Sequence, residues 1–141
     1  MYYMQVTVPK PLPEATLKRR VVTRPSVIAE CMQPPVLVAG YASLLESRRT
    51  DVTWKKVTPW VMRDLHEEAI AQLAAAFHSG EEFPILAPST NQADRKAFKI
   101  DAKLRNAVVE IASARTVSLG AVYYTAFRKY LVAQGVLERA W

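Results

Sequence analysis

Apolar and polar positions alternate across residues 95–101. Phe98 and Ile100 take one side and Ala97, Lys99 and Asp101 the other, which is the two-residue period of a strand. The period then changes. Leu104, Val108, Ile111 and Ala112 recur at helical spacing and predict one stripe of a short helix. After a break at Arg115–Val117, Ser118 reads as an N-cap. A second, longer helix follows, with Leu119, Val122, Tyr123, Ala126, Tyr130 and Leu131 on one face and Gly135 placed to stop it.

An earlier helix is as clear. Thr58 is a good N-cap and Pro59 suits the first helical position. Met62, Leu65, Ala69, Leu73 and Ala76 form a stripe that Ile70 and Phe77 widen, and Gly80 ends it. Upstream, two segments compete for a strand, Ser26 to Cys31 and Val36 to Tyr41, with Pro34 and Pro35 between them. Residues 43–56 show only a weak stripe through Leu44, Leu45 and Val52, and Asp51-Val52-Thr53 is a poor helix interior.

The expected organisation has five parts: a flexible basic arm over 1–25, a first unit over 26–80, a linker over 81–94, a second unit over 95–136 and a tail over 137–141. In the arm, Pro9, Pro11 and Pro13 precede Lys18, Arg19, Arg20 and Arg24. If the first strand is Val36 to Tyr41, a repeat emerges: Ile100 lies 18 residues before the cap Ser118, and Gly40 lies 18 before the cap Thr58. On that spacing, strands near 36–41 and 96–101 are expected to pair antiparallel within one chain, and helices near 58–79 and 118–134 to pack on each other. With Ser26 to Cys31 as the strand, that match disappears.

One strand, one short helix and one longer helix leave apolar faces that a unit of this size cannot bury alone, so it must pair with a second copy. The pattern over 95–134 resembles the ribbon-helix-helix family of DNA-binding proteins. In that family two units intertwine, their strands form an antiparallel ribbon in the major groove, and the start of the second helix holds a phosphate. The resemblance implies a mostly α fold with a short two-stranded antiparallel ribbon, as a tandem pseudo-dimer in one chain or as a homodimer. The alanine- and leucine-rich helix end AIAQLAAAFHSG, the proline-containing linker FPILAPST and the unit that follows are similar to the single-chain tandem form found among plasmid virulence-region accessory proteins of T-DNA transfer.

The implied DNA-contacting residues are Lys96, Ala97, Lys99 and Asp101 on or beside the second strand, and Arg115, Ser118, Leu119 and Gly120 around the helix start. Leu37, Ala39 and Thr58 are their counterparts in the first unit, and Arg19 and Arg20 lie in the arm. The partner implied is double-stranded DNA, with a DNA-transfer or partition protein as a further candidate and with transcription regulation or plasmid transfer as the process. Lys99 can donate to a guanine edge, and Asp101 can accept from a cytosine amino group or pair with Lys99 or Lys103.

Charge sharpens this picture. The net charge of +6 divides into +3 over residues 1–30, −3 over 31–94 and +6 over 95–134. The basic surplus sits on the arm and the second unit, and the first unit departs from the tandem pattern by being acidic. The competing reading is a helical adaptor whose basic face meets an acidic partner protein.

Candidate chemistry is sparse. His66 and His78 have no partner at metal-ligand spacing, and neither a GxSxG motif nor a phosphate-cradling glycine run is present. No metal, cofactor or catalytic residue is therefore expected, and the chain does not read as an enzyme. Cys31 is the only cysteine, which suits a reducing cytoplasm, and it reads as a small buried or half-buried residue rather than a nucleophile. Trp54 and Trp60 read as core or interface anchors, with base stacking as the weaker alternative, and among Tyr123, Tyr124 and Tyr130 only Tyr124 is a candidate to face outward. No apolar run reaches membrane-spanning length, and the start lacks the order of a secretory signal.

Overall fold

Both strands are short, and each finds its partner in the other half of the chain. The computed structural model describes residues 25–56, 58–88 and 93–138. Strand β1 (Ser26–Gln33) pairs antiparallel with β2 (Asp94–Asp101), with Val27 opposite Ile100 and Cys31 opposite Lys96. Helices α1 (Pro35–Thr50) and α2 (Met62–His78) follow β1, and α3 (Ala102–Arg115) and α4 (Leu119–Ala133) follow β2. Among the described residues the result is mostly helical with one two-stranded antiparallel sheet.

Packing crosses between the halves. Helix α2 lies on β2, α4 lies on β1, and α2 and α4 pack on each other. The inward residues Ala29, Cys31, Phe98 and Ile100 thereby join Leu65, Ile70, Leu73, Val122 and Phe127 in one core. Removing such side chains from water is the main driving term, worth roughly 1.5–3 kcal/mol for each large apolar one. Helix α1 closes the core against α2 and α4 through Leu37, Tyr41 and Leu44. The Tyr41 hydroxyl, taken out of water there, donates to the Phe127 carbonyl at 3.0 Å. Gly40 allows the close approach of α1 to α4, since a β-carbon on it would stand 2.8 Å from Leu131 Cδ1.

The first half departs from the sequence expectation. Residues 36–41 are helical, so the expected pairing of 36–41 with 96–101 does not form; the strand is the alternative segment near Ser26 to Cys31, and the 18-residue spacing has no structural counterpart. The cause is local. Pro34 caps α1 and Pro35 occupies its first turn, where a missing N–H costs nothing. Leu37, Gly40, Tyr41, Leu44 and Arg48 then form the buried stripe. Leu37 is thus a core residue and Ala39 lies on a helix, so neither belongs to a groove-facing strand.

Thr58 does not cap a helix. Helix α2 starts four residues later, where Asp64 Oδ2 accepts from the Val61 amide at 2.8 Å. Trp60 holds the intervening residues away from helical geometry. Its indole N–H donates to the Trp54 carbonyl at 2.6 Å, and its own carbonyl accepts from Arg49 Nε at 2.8 Å. The weak stripe over 43–56 also divides: helix stops at Thr50, and Asp51 accepts from the Thr53 amide to start a 3-10 turn over Val52–Trp54.

The linker is tied down through buried or half-buried groups. Arg115 donates to the Phe83 carbonyl at 2.9 Å, and the Leu86 amide donates to the Thr125 hydroxyl at 2.8 Å.

Candidate nucleic-acid interface

Strand alternation leaves one face of the ribbon outward. Three facing pairs lie along it: Ile28 with Lys99, Glu30 with Ala97, and Met32 with Arg95. All are exposed except Met32, which is half-buried. Lys99 projects as the alternation requires. Arg95 Nη1 meets Glu30 Oε1 at 3.3 Å, an exposed pair of little energetic weight. Ala97 shares this face. Lys96 is exposed but has the parity of Phe98 and Ile100, opposite Cys31. Asp101 closes the ribbon: its Oδ1 accepts from the Lys103 amide at 2.8 Å and caps α3. Its own amide donates to Glu67 Oε2 at 2.7 Å.

Ser118 is the N-cap of α4, its hydroxyl accepting from the Ala121 amide at 3.1 Å. Leu119 and Gly120 open that helix, where the first N–H groups have no intrahelical acceptor and the helix dipole favours an anion. Thr116 supplies the tight turn from α3, in left-handed backbone at φ 56°. Arg115 serves the fold instead of standing free for a phosphate: besides its bond to Phe83, its guanidinium lies 4.7 Å over the Phe83 ring. Arg19 and Arg20 lie outside the described residues.

The connection between α1 and α2 carries a cleft of about 320 Å³ lined by Arg48, Arg49, Lys55, Lys56, Thr58, Pro59 and Trp60. Thr58 is exposed here, in a cationic loop rather than at a helix start. Lys56 pairs with Asp64 at 2.9 Å and lies 4.3 Å over the Trp60 ring. Behind them Arg48 is 1% exposed, with its guanidinium 3.9 Å over Trp54 and 4.8 Å over Trp60. It donates to the Tyr130 hydroxyl at 2.8 Å and to Gln134 Oε1 at 2.9 Å, and Glu68 stands at 3.4 Å. Tyr130 in turn donates to Glu68, and burial is the largest cause holding its phenol well above its ordinary value. A buried guanidinium needs this much compensation.

Sequence reasoning missed Ile28, Glu30, Met32 and the cationic cleft. The first strand carries apolar residues on both faces, Ile28 and Met32 outward and Val27, Ala29 and Cys31 inward, so its alternation carries little contrast. The buried role of Arg48 had a usable signal: it continues the helical stripe of Leu37, Tyr41 and Leu44.

The other titratable groups are structural. Cys31 is buried, and burial pushes its thiol up to about 12, which leaves it protonated and a poor nucleophile. His66 is buried among Tyr41, Phe98 and Phe127, and desolvation lowers its imidazole to about 4. His78 meets Glu110 at 3.0 Å on the surface. Tyr124 is buried, not outward. Among the described residues no three His, Cys, Asp or Glu side chains gather as a metal site, and no helix is long and apolar enough to cross a membrane. No family model, curated protein or solved structure matches the chain.

Proposed function

We propose that this chain is a double-stranded DNA-binding protein of ribbon-helix-helix type, a tandem pseudo-dimer that lays its ribbon in the major groove. Its processes are transcription regulation or DNA transfer, and a transfer or partition protein is a further partner class. It works without a cofactor and catalyses no reaction. The observation that carries this reading is the ribbon itself: an antiparallel pair formed within one chain, helices on its inner face, and Lys99 on an outer face open to a ligand. A two-stranded ribbon fits the major groove, where lysine donates to guanine O6 and N7. The α4 start with its Ser118 cap offers amides to a phosphate, and the Lys55–Lys56 loop offers ammonium groups.

The test is a salt titration of binding to duplex DNA. Affinity should fall by roughly a thousand-fold between about 50 and about 200 mM salt if around six phosphates are neutralised. Lys99→Ala should weaken a selected site by roughly ten-fold or more and relax the preference at one base pair. Replacing Arg19 and Arg20 by alanine should weaken all sequences alike. Equal losses on selected and random DNA would reduce Lys99 to a phosphate contact. Absent or salt-insensitive binding would leave the helical adaptor with a basic face as the better reading.

A further inference from the structure

The outer face of the ribbon has a middle and two ends, and the ends are chemically different. Glu30 and Ala97 form the middle pair, flanked by Ile28 with Lys99 on one side and Met32 with Arg95 on the other. Strand β1 therefore presents an apolar, acidic, apolar series, and β2 a basic, small, basic one. The two cations are not equivalent either. Arg95 faces the half-buried Met32 and lies 3.3 Å from the Glu30 carboxylate, whereas Lys99 faces the uncharged, exposed Ile28. Ile28 is 67% exposed, and the core has no use for it there.

We propose that the ribbon reads a non-palindromic duplex in one fixed orientation, with Lys99 on a guanine edge and Ile28 on the methyl group of a neighbouring thymine. This rests on the reading of the ribbon as the groove-facing element. The chemistry follows from what each side chain has to offer. Lysine has three donors and no acceptor, and guanine presents two acceptors in the major groove. Isoleucine has only apolar surface, and the thymine 5-methyl is the apolar group the major groove displays. At the other end a half-buried methionine stands in place of the exposed isoleucine and a guanidinium in place of the ammonium, so the same pair of contacts is not repeated there. A ribbon of two identical strands would be bound to repeat its contacts about its centre, and such a protein selects a palindrome.

The full-length protein can be used to select duplexes from a randomised pool, with the enriched thymine then replaced by uracil, which removes only the methyl. The expected result is a consensus without two-fold symmetry. Uracil at one position should weaken the wild-type protein by about four-fold, as burial of one methyl implies. Ile28→Ala, an exposed position whose circular dichroism should stay unchanged, should bind thymine and uracil sites equally. A palindromic consensus, or indifference of the wild type to uracil at every position, overturns the inference while DNA reading stands. Absence of duplex binding overturns the groove reading and this inference with it.

Discussion

His66 stacks on Phe127 at 4.6 Å between ring centroids and meets Tyr41 and Phe98 edge-on or tilted at 5.2 Å. Nothing in that aromatic box solvates an imidazolium, so the folded state holds the ring neutral and its pKa falls from 6.5 to about 4. The unfolded chain takes up a proton first as pH drops. Stability is therefore full above about pH 6.5, declines between about 6.5 and 4, and stops responding to this residue below that, a loss of about 3 kcal/mol in all. Urea unfolding at pH 7.5 and 4.5 checks this, with His66→Phe as the comparison that should flatten this step. An equal step in both proteins would assign the acid sensitivity to other groups. At the same scale, Arg48 shows why a charge can occupy a helix stripe: two indole faces cover its guanidinium, and a tyrosine, a glutamine and a carboxylate replace water at its Nη groups, leaving only Nε without a partner.

The elements were unequally legible. In the second half each local signal agreed with the others: alternation at Phe98 and Ile100, a stripe, a serine cap and a stopping glycine. Strand β2, helix α3, helix α4 and the left-handed Gly135 at φ 78° all stand where the sequence put them. In the first half the signals conflicted. Two adjacent prolines read as a separator, although the second of them opens a helix, and Gly40 weakened a helical pattern that the nearness of Leu131 explains. Thr58-Pro59 had the composition of a helix start, but Trp60 is anchored to Trp54 and Arg49, contacts that no local window contains. The position of Lys99 on the outward face was readable, and its partner Ile28 was not, because register is a property of two strands. The Ser118 cap can be tested directly. Ser118→Ala should cost about 1 kcal/mol in denaturant unfolding. It should also weaken DNA binding beyond that stability loss if the α4 start holds a phosphate. Unchanged affinity in fully folded protein would remove this helix start from the interface.

Across the whole molecule, charge and packing divide the chain differently. The larger basic surplus belongs to residues 95–134 and the acidic one to residues 31–94, while helix α2 of the acidic stretch lies on β2 and helix α4 of the basic stretch lies on β1. Neither stretch keeps its own core, so neither has a folded form to fall back on when the other opens. Assembly by two separate chains would make the melting temperature depend on how many molecules are present, because association is second order. Here the encounter is internal and first order. The melting temperature should hold constant from micromolar to nanomolar protein, in a single transition by both far-ultraviolet dichroism and tryptophan fluorescence. A midpoint that drifts downward on dilution would mean that a second chain completes the fold. If it holds, the fold is complete in each molecule as it is made, even at a few copies per cell, with no dimerisation step to wait for.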